Sequence, residues 1–151
     1  CPCGNFGSAK KECVCKAQDI LRYERKLSGP IMDRIDMWVE VAEIDYEKLS
    51  STAGDAQTPA IKEKVLFARK TQEARFKNTP QKKKLNSAMT SKHIGILSGL
   101  SEKARELLNI SAKKLDVSAR VYHRIIKLAR TIADLDGSEE IGEKHILEAF
   151  D

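Results

Sequence analysis

The sequence predicts a mainly α-helical chain, in which one strand and a four-cysteine clip precede a helical bundle. Three observations carry this expectation. Apolar residues recur at three- and four-residue steps through the last third. Only one segment, residues 35–41, reads as a good strand. All four cysteines fall within the first 15 residues.

Taken in order, residues 17–27 form the first expected helix, with Ile20, Leu21, Tyr23 and Leu27 among charges, and Gly29-Pro30 stops it. A turn over residues 31–34 leads into the strand. There Asp36, Trp38 and Glu40 do not alternate cleanly with Ile35, Met37, Val39 and Val41, because Trp38 is apolar, and that mixture suits one fully and one partly buried face. A lone strand cannot pair with itself, so its sheet is expected in another part of the protein. Residues 50–57 read as a loop. Thr58-Pro59 opens a helix to about residue 77, with Thr58 as its cap and Ile61, Val65, Ala68 and Gln72 along one face. Residues 78–84 break the pattern, and residues 87–98 form a short helix ended by Gly99.

Ser101 is the expected cap of a helix to about residue 115, with Ala104, Leu107, Leu108 and Leu115 on one side. Ser118 caps the next, to about residue 135, with Val121, Ile125, Leu128, Ala129 and Ile132 on its apolar stripe. Asp136-Gly137 ends it. A last helix, residues 143–150, is expected to bury Ile146, Leu147 and Phe150. Short links and one apolar face per helix make a small bundle. The expected division is residues 1–57, a basic helical linker or insert over 58–98, and the bundle over 99–151.

With 151 residues, 41% hydrophobic and 32% charged, the chain has material for one core. Its longest run of hydrophobic residues is four, Val65 to Ala68, against the roughly 20 that a membrane helix needs. No signal peptide is visible, and a cytoplasmic location without membrane contact is expected. The chain begins at Cys1 and is expected to be a piece of a longer protein. Its net charge of +5 is local: residues 58–98 carry 10 basic and 2 acidic side chains, whereas the flanking segments are close to neutral. Such a segment is either a polyanion contact or a solvated linker.

Cys1 and Cys3 form one pair, Cys13 and Cys15 another, around a loop with small residues. Four thiolates about 2.3 Å from Zn²⁺ would close a structural site, although one residue rather than the usual two separates each pair. Free thiols and disulfides are the alternatives. No phosphate loop or dinucleotide fingerprint occurs, so the chain alone is not expected to be an enzyme. His93, His123 and His145 are far apart and read as surface or packing residues. Two arginines stand out. Arg34 follows a turn and precedes the strand, where it can reach a neighbour's phosphate or pair with Asp33 or Asp36. Arg120 opens a basic stripe with Arg124 and Lys127, in a first turn whose free amides favour an anion. The bland reading of that stripe is a solvated face.

The motifs C-P-C-G, C-x-C, S-G-P-x-x-D-R-I-D, S-A-R-x-Y-H-R, A-R-T-I-A-D-L-x-G and I-x-x-x-H-I-x-E-A occur in this order. Together they resemble the C-terminal part of the bacterial magnesium-chelatase-like AAA+ ATPases, in particular the competence-associated, DNA-processing branch. The resemblance covers nearly the whole chain. It implies an AAA+ helical lid from about Ser101 onward, preceded by a remnant of the α/β ATPase core with one strand and the four-Cys clip. The phosphate loop, magnesium motif and first sensor would lie upstream. By the same resemblance Arg34 matches the arginine finger, acting in trans, and Arg120 the second sensor. The parent protein would be an ATPase using ATP and Mg²⁺, would form a ring, commonly a hexamer, and would act on DNA. Within residues 58–98, Lys82, Lys83 and Lys84 are the proposed DNA contacts. A metal chelatase motor subunit and a zinc-clipped nucleic-acid-binding module without ATPase role are the alternatives.

Overall fold

The computed structural model describes residues 1–8, 10–39, 41, 57–80 and 84–151. Two compact units divide it, Cys1–Trp38 and Val39–Asp151. The first holds α1 (Ala17–Glu24) and α2 (Gly29–Met32), and none of its described residues is buried. Helix α1 ends three residues before the expected stop. Pro30 sits in the first turn of α2, where its missing N–H costs nothing. Of the expected turn over residues 31–34, Ile31 and Met32 end this short helix, and only Asp33 and Arg34 form the turn that follows.

The expected strand over residues 35–41 is not formed in its described residues: 35–39 and 41 carry no regular structure, and Glu40 lies outside them. A strand is stable only when a ladder partner satisfies its amides. Among the described residues no strand is formed, and the one isolated bridge is parallel, Leu100 to Ile141. Met37, Trp38 and Val39 are accordingly exposed.

The second unit is a helical bundle of α3 (Gln57–Arg75), a 3-10 turn (Asn86–Ala88), α4 (Ser91–Leu97), α5 (Glu102–Lys114), α6 (Ala119–Leu135) and α7 (Glu143–Phe150). Local signals start these helices. Ser101 Oγ accepts from Ala104 N at 3.3 Å, and Ser118 Oγ accepts from Val121 N at 3.3 Å. Thr90 and His93 exchange reciprocal bonds at the head of α4. Thr58, expected to cap α3, lies inside that helix. Asp136 caps α6, and Gly137 follows at φ +70°, a conformation glycine takes without strain.

The core gathers around α6. Ile125, Ile126, Ala129 and Ala133 pack with Ala104 and Leu108 of α5, Ile94 of α4, Ile146 of α7, and Phe76, Met89 and Ile141 from the connections. Each fully buried Leu or Ile contributes about 1.5–3 kcal/mol. Some expected core residues are exposed instead. Leu115 is the C-cap of α5, just before the chain turns at Asp116 (φ +49°). Leu147 lies on the outer face of α7, although Ile146 is buried and Phe150 partly so. On α3, Ala68 and Gln72 are buried, but Val65 and Ile61, one and two turns before Ala68, are exposed, so only the C-terminal half of its stripe is covered.

Charge also lies in this core. Arg130 and Asp134, both 1% exposed, sit one turn apart on α6. Asp134 accepts from Arg75, from Asn86 Nδ2 at 2.8 Å and from Arg130 Nε at 3.1 Å. Arg130 donates onward to the carbonyls of Ser98, Glu139 and Ser138 at 3.2, 2.7 and 2.6 Å. Among the described residues, no helix is long and apolar enough to cross a membrane.

Replacing Asp134 with Ala strands two guanidinium groups in this core. The expected loss is about 3–5 kcal/mol, read as a lower urea midpoint with an unchanged denaturant slope. A midpoint equal to that of the parent chain would show that the arginines find other partners.

Candidate functional site

The cysteines converge, as their spacing suggests. Gly4 and Gly7 adopt φ of +80° and +83°, a left-handed backbone that a side chain would strain, and they fold the chain back on itself. Gly4 N donates to Cys1 O at 3.1 Å, and Phe6 N donates to Cys1 Sγ at 3.2 Å. Cys1 and Cys3 Sγ are 3.5 Å apart, and Cys13 Sγ stands 3.7 Å from each. All four sulfurs, Cys15 included, lie within 4.8 Å of one another. Four sulfurs bound tetrahedrally at about 2.3 Å stand about 3.8 Å apart, so the donor set fits one ion of zinc's size and preference.

The thiols differ in acidity. The Asn5 backbone amide, and after it the Cys15 side chain, hold Cys3 down to about 7. For Cys13 the Cys15 amide favours the thiolate, but burial and the neighbouring Cys3 and Cys15 thiols outweigh it and push this thiol up.

Arg34 is exposed just after α2, and its Nη1 donates to Pro30 O at 3.1 Å, one helical turn back. That bond directs the guanidinium along α2. Arg120 lies in the first turn of α6, exposed, and pairs with no carboxylate among the described residues. The basic stripe that it opens is not uniform. Arg124 and Lys127 are partly buried, and Lys127 Nζ donates to Ser87 O at 3.1 Å, tying the 3-10 turn to α6. Arg34 belongs to the first unit and Arg120 to the second. Lys84 is exposed, while Lys82 and Lys83 lie outside the described residues.

Two of the histidines have packing roles. His93 completes the cap of α4. His145, 2% exposed, accepts from Gly142 N through Nδ1 at 2.9 Å and meets Asp136 through Nε2 at 3.2 Å. Lys144, and after it His145, hold the Asp136 carboxyl below its ordinary range. Sequence reasoning missed the cluster of Arg75, Asn86, Arg130 and Asp134. Its one sequence signal was a charged pair, Arg130 and Asp134, four residues apart beside an apolar stripe.

The family model for the C-terminal domain of magnesium chelatase subunit ChlI matches residues 55–151, and the model for magnesium chelatase subunit ChlI matches residues 1–49. The competence protein ComM of Haemophilus influenzae is 39% identical over 134 residues, which are 88% of this chain and 25% of that protein. The YifB protein of Escherichia coli is 35% identical over 136 residues, 89% of this chain and 26% of its own length. Its counterpart in Salmonella typhimurium is 32% identical over 136 residues, with the same coverage of 89% and 26%. The chain thus spans about a quarter of the length of these curated relatives.

The acidity difference predicts an order of reactivity. In the reduced, metal-free chain, iodoacetamide is expected to label Cys3 before Cys13, with a rate at Cys3 half-maximal near pH 7, because the thiolate is the reacting form. Peptide mass mapping between about pH 5 and pH 9 reads this. Equal labelling of all four would show that the Asn5 amide does not single out Cys3.

Proposed function

The chain belongs to the magnesium chelatase subunit ChlI family, and from that premise we propose that it is the C-terminal part of an AAA+ ATPase that couples ATP hydrolysis to DNA remodelling. In this reading Arg34 is the arginine finger that reaches the nucleotide of the neighbouring subunit in a ring, and Arg120 is the second sensor on the lid of its own subunit. The parent protein uses ATP and Mg²⁺, and its phosphate loop lies outside this chain. Guanidinium groups of this kind stabilise the charge that develops on the transferred phosphoryl group.

The observation that carries the reading is the state of Arg120. It is a cation in a first helical turn, where the dipole disfavours it by a few tenths of a kcal/mol or more, and no carboxylate among the described residues neutralises it. An exposed arginine kept at a site built for anions is suited to a phosphate. Arg34, exposed and directed by Pro30 O, is likewise available to a neighbour.

The DNA branch is favoured over a chelatase motor by two features: the competence protein ComM among the relatives, and the surplus of 10 basic over 2 acidic side chains in residues 58–98. The lysines Lys82, Lys83 and Lys84 contact the DNA backbone in this reading. The chelatase reading keeps the same arginine roles and replaces DNA with a protein partner.

The clip has a structural role here. With no buried residue among those described in Cys1–Trp38, this unit has no apolar core to hold it. Units this small rely on a metal, a disulfide or a partner. We assign that role to Zn²⁺ bound by Cys1, Cys3, Cys13 and Cys15, whose sulfur spacing fits it.

Two outcomes test these assignments. In the full-length protein, Arg34→Ala is expected to lower ATP turnover by about 10³ or more while nucleotide binding persists. Mixing that variant with a phosphate-loop variant should restore part of the activity, because each supplies what the other lacks at one interface. Mixtures as inactive as their components would mean that Arg34 serves its own subunit. Metal analysis of the full-length protein purified under reducing conditions should find one zinc per chain, lost with Cys13→Ser. Much less than one equivalent in the parent would reject the zinc clip.

A further inference from the structure

In the unit Cys1–Trp38, a hollow of about 310 Å³ opens between the clip and α1, lined by Pro2, Cys15, Asp19, Arg22, Tyr23 and Lys26. Asp19 is in the first turn of α1, where its charge suits the positive end of the helix dipole. Arg22 and Lys26 are four residues apart and exposed, with the Tyr23 ring beside them. Tyr23 is 45% exposed, and Lys26 Nζ stands over one face of its ring, 5.6 Å from the centroid. The surroundings are basic, since residues 1–27 carry six basic and three acidic side chains.

An accessible aromatic ring flanked by cations is the combination that takes an unpaired base by stacking and its phosphate by charge. A duplex cannot use it in this way, because its bases are already stacked on each other. We propose that this hollow holds one nucleotide of single-stranded DNA, with the base against Tyr23 and the phosphate at Arg22 and Lys26. The proposal rests on the DNA reading above for its class of partner. It is independent of Arg34, Arg120 and the lysine run.

Fluorescence anisotropy of the reduced 151-residue chain with a labelled single strand of about 15 nucleotides, over a range of salt, tests it beside a duplex of the same sequence. Tyr23→Ala is expected to weaken single-strand binding about tenfold, and Tyr23→Phe to retain it. Joint Arg22→Gln and Lys26→Gln should lower the single-strand salt slope by up to about 1.4, at roughly 0.7 per phosphate. Duplex affinity should fall instead with joint Lys82→Gln, Lys83→Gln and Lys84→Gln. If Tyr23→Ala misfolds by circular dichroism, the paired Gln variant decides alone, since it alters only exposed heads. Unchanged affinity and slope in the Gln pair overturn the hollow as a site. If duplex binding still depends on the lysine run, the DNA reading survives that failure. If the unaltered chain binds neither form, both are rejected.

Discussion

The bundle turns on one buried carboxylate. Asp134 is held by Arg75 from α3, by Asn86 from the 3-10 turn and by Arg130 from its own helix, so three separate stretches of chain end at one group. Burying two guanidinium groups and a carboxylate is costly unless each hydrogen bond is made. Here Arg130 completes its set with three backbone carbonyls. Burial pushes its pKa down, and the Asp134 charge works against that shift. The cluster fixes which surfaces meet more than it adds net stability, because an apolar core of similar volume could be as stable.

Its reach explains the connections. By holding Ser98 O and Glu139 O, Arg130 brings the loops before α5 and before α7 side by side, where Ser101 N donates to Ile141 O and Ile141 N to Gly99 O. Gly99 makes this approach possible. Its φ is +61°, and a Cβ there would lie 3.2 Å from both Arg130 Nη1 and Glu139 O. These loops in turn set the starts of α5 and α7 around α6, the helix whose first turn presents Arg120.

The smaller unit follows the opposite logic. It has no buried residue among those described, and its order is local: two helices, left-handed glycines and four clustered sulfurs. Its exposed apolar residues at 37 and 38 are those that the sequence would assign to a strand.

Local chemistry is what the sequence determined. The Ser101 and Ser118 caps, the stop at Asp136-Gly137, the apolar stripe of α6 and the meeting of Cys1, Cys3 and Cys13 depend on residues close in the chain, so spacing alone reveals them. Tertiary structure decided the rest. Leu115, Leu147, Ile61 and Val65 satisfy the same periodicity as their buried neighbours, yet whether a stripe is covered depends on where other helices end. The strand over residues 35–41 needs a ladder partner that no local pattern supplies. Arg130 and Asp134 look like an ordinary surface pair in the sequence, because charge normally stays in water. Only the arrival of Arg75 and Asn86, 59 and 48 residues earlier in the chain, makes their burial tolerable.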